Sequence, residues 1–244
     1  MLQNTPGIVL RSVKYGETSL VTTIFTEVYG VQTYMVQGVR SAKTGRNKAG
    51  MLQPGMLNEL VVYYQPMKNM QRLREFQPAY IYQSIQQDVV KNAVALFSIE
   101  LLMRLLPEHA PFPELFEFSL NYFKQLDITP VQLTGNFPLF FLVTCGNHMG
   151  FGLKGNYCEE TPHLNLQDGG FTAHPPQAEP FTTPSDAGAL ERIQQADNYE
   201  LLQGITLNAA QRIRLTEWYI LYLQQHSGHM GNIRSLAVLQ AILH

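Results

Sequence analysis

Residues 7–36, GIVLRSVKYGETSLVTTIFTEVYGVQTYMV, decide the fold. Short runs rich in Val, Ile, Leu and Thr are broken at Tyr15-Gly16-Glu17 and at Tyr29-Gly30, the punctuation of small antiparallel sheets. Reading outward to Phe76 gives five strands, Gly7 to Val13, Leu20 to Thr26, Gln32 to Val36, Leu57 to Tyr64 and Met70 to Phe76. The third and fourth are joined by a long segment over 38–55, the last two by a break at Gln65-Pro66. Five strands in so short a span, one after a long connection, match the barrel called the OB-fold. An SH3-like barrel or a split sheet has the same periodicity and stays open at this point.

Beyond Pro78 the apolar period changes from two to three and four. Asp88 to Leu106 carries one apolar stripe, Pro113-Glu114 opens a second helix through Leu126, and Leu139 to His148 is apolar nearly all round and therefore central. Residues 150–184, rich in Gly, Pro, Asn and Thr, read as an irregular insertion. Helix is predicted again at Ser185 to Leu202 with Ser185 as N-cap, at Asn208 to Gln225 with Asn208 as N-cap, and at Ser235 to Leu243. The expected fold is α+β: a five-stranded OB barrel over residues 1–78, then an all-α helical domain over 79–244.

Charge is scarce and unevenly placed. Only 15% of the 244 residues are charged, yet residues 1–76 carry a net +5 and the remainder a net −7. Such a division predicts one part that meets a polyanion and another that does not. The amino terminus lacks a secretory pattern, no uncharged run reaches the roughly 18 residues of a membrane span, and a cytoplasmic protein with no membrane contact is expected.

The most basic stretch is 38–53, GVRSAKTGRNKAGMLQ, where Arg40, Lys43, Arg46 and Lys48 stand without an acid. A charge run is ordinarily a solvated loop, but this one joins two strands of a barrel whose faces and loops commonly bind nucleic acid. In the fifth strand the period of two puts Arg72 and Arg74 on one face and Gln71, Leu73 and Glu75 on the other. Guanidinium groups about 7 Å apart match the phosphate spacing of an extended strand. Arg11 and Lys14 add charge beside Tyr15 at the first turn, and Tyr34, Tyr63 and Tyr64 are rings on which bases could stack, though strand aromatics more often pack in cores.

Catalytic motifs are absent: there is no G-x-x-x-x-G-K-[ST], no G-x-S-x-G and no H-E-x-x-H, so no enzyme activity is expected. Cys145, His148, Cys158, His163 and His174 fall in one region but contain no CxxC, and four ligands in zinc spacing cannot be drawn from them. The expectation is no metal and no cofactor, with Cys145 a small buried hydrophobe.

The run GIVLRSVKYGETSLVTTIFTEVYG, followed by GVRSAKTG and LQPGMLNELVVYY, resembles the opening of the RecO family, and the closing GHMGNIRSLAVLQAIL resembles that family's last helix. The resemblance implies an OB barrel fused to a helical domain, single-stranded DNA binding, strand annealing, cooperation with RecR, contact with the tail of the single-strand-binding protein SSB, and help in loading RecA. The basic loop then gives Arg40, Lys43, Arg46 and Lys48, and the first strand and turn give Arg11, Lys14 and Tyr15. One departure is clear: where many members begin a four-cysteine zinc motif, this chain reads NYCEETPHLNLQDGGF and keeps only Cys158.

An SSB tail is acidic and ends in apolar residues and a free carboxylate, so it wants an apolar groove with a cation at the rim. In the acidic part Arg104, Lys124, Arg212 and Arg214 lie beside apolar stripes and are the candidates, although each could equally pair with an acid nearby. Two other functions fit the same residues: an OB-fold protein for structured RNA, and a protein-only adaptor whose basic loop docks an acidic partner.

Overall fold

A computed structural model describes residues 2–40, 46–177, 179–228 and 230–243, with the side chains of Arg46 and Asn47 outside the description. In order, the elements are β1 (Leu2–Tyr15), β2 (Ser19–Thr26), β3 (Gly30–Val36), α1 (Arg46–Gly50), β4 (Leu57–Tyr63), β5 (Met70–Pro78), α2 (Val89–Leu105), α3 (Pro113–Ile128), α4 (Phe137–His148), β6 (His163–Asn165), β7 (Gly170–Thr172), α5 (Pro184–Gln194), α6 (Tyr199–Gly204), α7 (Ala209–Ser227) and α8 (Ser235–Ile242). The chain forms two compact units. One runs as far as Ser84 and resumes over Leu106–Asp127; the other comprises Ile85–Leu105 and the chain from Ile128 onward.

The first unit is a closed barrel of order β1-β2-β3-β5-β4, antiparallel throughout except for the parallel pair β3 and β5. That strand order is the five-stranded OB topology, and it settles what periodicity left open. β1 is twice the predicted length because it serves two neighbours: Leu2 to Ile8 pair with β4, and Gly7 to Tyr15 pair with β2. A register shift between Val9 and Arg11 bends the strand from one pairing to the other. At that corner Gly7 has no room for a side chain, since a Cβ would lie 2.7 Å from both Ile24 and Leu60. Val9, Ile24, Tyr34, Leu52, Leu60, Val62 and Leu73 fill the barrel.

Residues 106–127 pack on the barrel within the same unit. Phe116 of α3 meets Phe25 edge-on at 5.3 Å, and the His109 N–H donates to the Val31 carbonyl at 3.1 Å. Gly30 makes this possible: its φ is +64°, and a Cβ there would overlap the Ala110 carbonyl. The carboxylate of Asp127, buried at the end of α3, accepts the backbone N–H groups of Gln83 and Ser84, each at 2.8 Å, and the Tyr80 hydroxyl.

The second unit is helical, with a small hairpin of β6 and β7 inside the stretch read as irregular. As its composition predicts, α4 is central: Phe137 to Val143 are all buried, and the helix packs on α2, α5 and α7. The helix predicted from Ser185 to Leu202 is two helices. Thr183, not Ser185, caps α5 in a capping box with Asp186, and Asn198 takes an extended conformation to cap α6 through Leu201 N–H. Asn208 caps α7 as expected, with Gln211 completing the box. The start of α8 is held by Glu100 of α2, which accepts the Arg234 and Ser235 N–H groups and the Ser235 hydroxyl.

Candidate nucleic-acid interface

Pairing register assembles the outward face of the barrel from residues far apart in sequence. Partners in register point to the same side of a sheet. One row therefore runs Arg11, Thr23, Thr33, Met70, and the next runs Val13, Val21, Met35, Arg72, Tyr63. Val13, Tyr63 and Met70 are exposed by 45%, 38% and 43%, which is unusual for large apolar side chains on a barrel surface and makes this face a mixed platform of cations and apolar groups. At its β5 side lies a groove of about 480 Å³ lined by Met35, Tyr63, Lys68, Met70 and Arg72 among others, with no carboxylate in its wall.

Two connections border this face. The β1–β2 turn, Gly16 to Thr18, is tied to the basic loop, because the Arg40 N–H donates to the Thr18 carbonyl at 3.0 Å and the Arg40 guanidinium to that of Gly16 at 3.3 Å. Val39 beside it is buried and anchors the loop's first residues. The β4–β5 connection supplies Lys68, whose shape is fixed by Gln71: its side-chain amide N–H donates to the Gln65 and Lys68 carbonyls, and its amide oxygen accepts the Gln65 N–H. An OB barrel's usual oligonucleotide surface is the β2–β3 face flanked by these same two connections.

The predicted binding residues do not all gather there. Arg11, Tyr15 and Arg72 share the outward phase, and Arg40 stands at its border. Lys14 is exposed but alternates with Val13 and Tyr15 and pairs with buried Leu20, so it projects to the other side of β1. Lys43 lies outside the described residues, as does the side chain of Arg46. Arg74 sits at a bulge, where Val61 pairs Glu75 and Val62 pairs Leu73 with Arg74 between. The bulge turns Glu75 outward, contrary to a strict period of two, and its carboxylate meets the Arg74 guanidinium at 3.2 Å. Lys48 lines a second groove, of about 430 Å³, together with Arg74, Glu59 and Glu75. Of the aromatic candidates, Tyr34 is fully buried and belongs to the core, Tyr64 stacks on Tyr29 at 3.9 Å, and Tyr63 alone of the three is open on the face. Lys68, Met35 and Met70 went unnoticed in sequence; the missing signals are the strand order that pairs Met35 with Arg72 and the β4–β5 connection that brings Lys68 to the same groove.

The partner candidates are likewise dispersed. Lys124 belongs to the barrel unit. Arg104 lies 3.6 Å from Glu100 one turn away. Arg214 forms a two-pronged pair with Asp186, Nε at 2.9 Å and Nη2 at 2.7 Å, and is thereby committed to a carboxylate of its own chain. Arg212 differs. It lines an apolar groove with Pro138, Ile213, Leu236, Leu239 and Leu243; its Nη1 donates to the Leu207 carbonyl at 2.6 Å, and its buried Nε lacks a partner among the described residues. Burial lowers its pKa.

Cys145 is fully buried, and burial pushes its thiol well up. Cys158 is exposed and hydrogen-bonds Thr161. Among the described residues no three of His, Cys, Asp and Glu converge as metal ligands, and no helix is long and apolar enough to cross a membrane.

Strand order, outward cations and a separate helical unit define a protein built on an OB barrel with a positively charged, partly apolar face. Comparison with known proteins narrows this. Residues 1–82 match the family description "Recombination protein O N terminal", and residues 86–237 match "Recombination protein O C terminal". The chain is 29% identical over 243 residues to the DNA repair protein RecO of Bacteroides fragilis and 28% identical over 246 residues to that of Christiangramia forsetii, in each case covering 99% of both chains. It is 26% identical over 256 residues to the DNA repair protein RecO of Bacillus subtilis, covering 100% of this chain and 97% of the relative. The chain belongs to the RecO family of DNA repair proteins.

Proposed function

We propose that the protein is a non-enzymatic recombination mediator that binds single-stranded DNA on the outward face of β1, β2, β3 and β5. The observation that carries this reading is the pair of register rows that set Arg11 and Arg72 among Val13, Met35, Met70 and Tyr63 with no carboxylate between them. Cations there take phosphates, while the apolar and aromatic groups take unstacked bases, which only a single strand offers. Arg40 and Lys68 extend the cationic path along the two bordering connections. Strand annealing, cooperation with RecR and help in loading RecA complete the proposed role in the cytoplasm; they rest on family membership. The test is binding of a fluorescent oligothymidylate over a series of salt concentrations, with unlabelled RNA of equal length as competitor. Salt-sensitive binding that RNA displaces poorly supports the reading. Preference for RNA favours the RNA-binding alternative, and no binding at low salt favours a protein-only adaptor.

In the helical unit the groove beside Arg212 suits the SSB tail. The cleft itself is small, about 20 Å³, so the terminal side chains rest on its apolar rim of Pro138, Ile213, Leu236 and Leu239, and the Arg212 guanidinium pairs with the free carboxylate.

A further inference from the structure

Two grooves on the barrel surface differ in a way that divides β5 at its bulge. The groove holding Arg72 and Lys68 has no carboxylate in its wall. The groove holding Arg74 and Lys48 has two, Glu59 and Glu75. These are half of the four acids in residues 1–76. Register places them as diagonal cross-strand neighbours, since Glu59 pairs Gln77 and Glu75 pairs Val61, so their Cα atoms are about 7–8 Å apart and both side chains stand on the outward face. Without the bulge Glu75 would follow Leu73 to the barrel interior; with it, Glu75 stands outward and holds Arg74 at 3.2 Å. An incoming phosphate at Arg74 therefore meets a carboxylate already in place and a second one close by. At Arg72, two residues earlier, it meets neither.

Resting on the single-strand-binding reading, we propose that Glu75, with Glu59, is an electrostatic boundary that keeps the strand off Arg74 and Lys48 and so limits how many nucleotides the barrel engages. The bulge is the structural device that builds it, because one inserted residue converts an inward position into an outward anion. Arg74 is accordingly a partner of Glu75 and not a phosphate ligand.

The experiment is the dependence of oligothymidylate affinity on salt for the parent, R72Q, R74Q, E75Q and the R74Q/E75Q pair. Each phosphate contact contributes about 0.7 to the slope of log affinity against log salt on a single strand. E75Q should steepen the slope by about 0.7, R74Q alone should leave it unchanged, and the double variant should return to the parental value. A parental slope in E75Q, or a flattening in R74Q equal to that in R72Q, overturns the boundary while leaving the DNA reading intact. A parent that binds no oligonucleotide at any salt overturns both. A merely structural role for Glu75 would change thermal stability and not the salt slope.

Discussion

Arg212 and Arg214 are two residues apart on α7, yet their surroundings give them opposite uses. Arg214 meets the Asp186 carboxylate, which has no exposed surface, in two hydrogen bonds. Burial alone would push the Asp186 carboxyl up, but the bonds from Arg214 and Thr183 outweigh it and hold the group below its usual value. A carboxyl whose folded pKa is depressed contributes stability above its unfolded pKa, and that contribution disappears as pH falls through the folded value. D186N should therefore destabilise the helical unit by about 2–3 kcal/mol at neutral pH, less than for a fully buried pair because Arg214 is one-third exposed. The deficit relative to the parent should shrink as pH drops below about 4. Denaturant titrations at several pH values check both statements. Arg212, whose Nε lacks a partner among the described residues, is the residue whose reversal is informative: R212E should abolish binding of an acidic peptide ending in apolar residues while leaving oligothymidylate affinity at the parental value. Fluorescence titration with the labelled peptide decides, and undiminished binding by R212E removes this groove as the tail site. Sequence could place both arginines beside an apolar stripe; it could not show that Asp186, 28 residues away on another helix, takes one of them.

Most elements set by local signals were legible, although the cap of α5 is Thr183 and not Ser185. Asn208 caps α7 as its position before an apolar period dictates, and α4 is central because it is apolar on every side. The five strands are all present. What failed were features fixed by pairing: the length of β1, which depends on its having two neighbours, and the outward turn of Glu75, which depends on a bulge. The break between α5 and α6 escaped for a different reason, since residues 195–198 contain no Gly or Pro and only the extended Asn198 cap marks it. Gly30 shows how strictly one such junction is built. It combines left-handed backbone with contact against the Ala110 carbonyl, so G30A should cost about 2 kcal/mol or more and loosen residues 106–112 from β3. Amide exchange should report this as lost protection at His109, whose N–H bonds the Val31 carbonyl; retained protection there would show that the junction tolerates a side chain.

Over the whole molecule, the contrast of +5 against −7 located the candidate nucleic-acid surface in the barrel but not on any one of its faces. The face is defined by strand order, which aligns Arg11 with Met70 and Val13 with Arg72 through the same two intervening strands, β2 and β3. The residues brought together there are a subset of those the sequence singled out, joined by Lys68, Met35 and Met70. The most direct test of this account is the salt dependence of oligothymidylate binding for the triple variant R11Q/K68Q/R72Q. The account predicts a slope flatter than the parent's by about two units, the sum of three phosphate contacts. A slope equal to the parent's, with affinity unchanged at low salt, would contradict it.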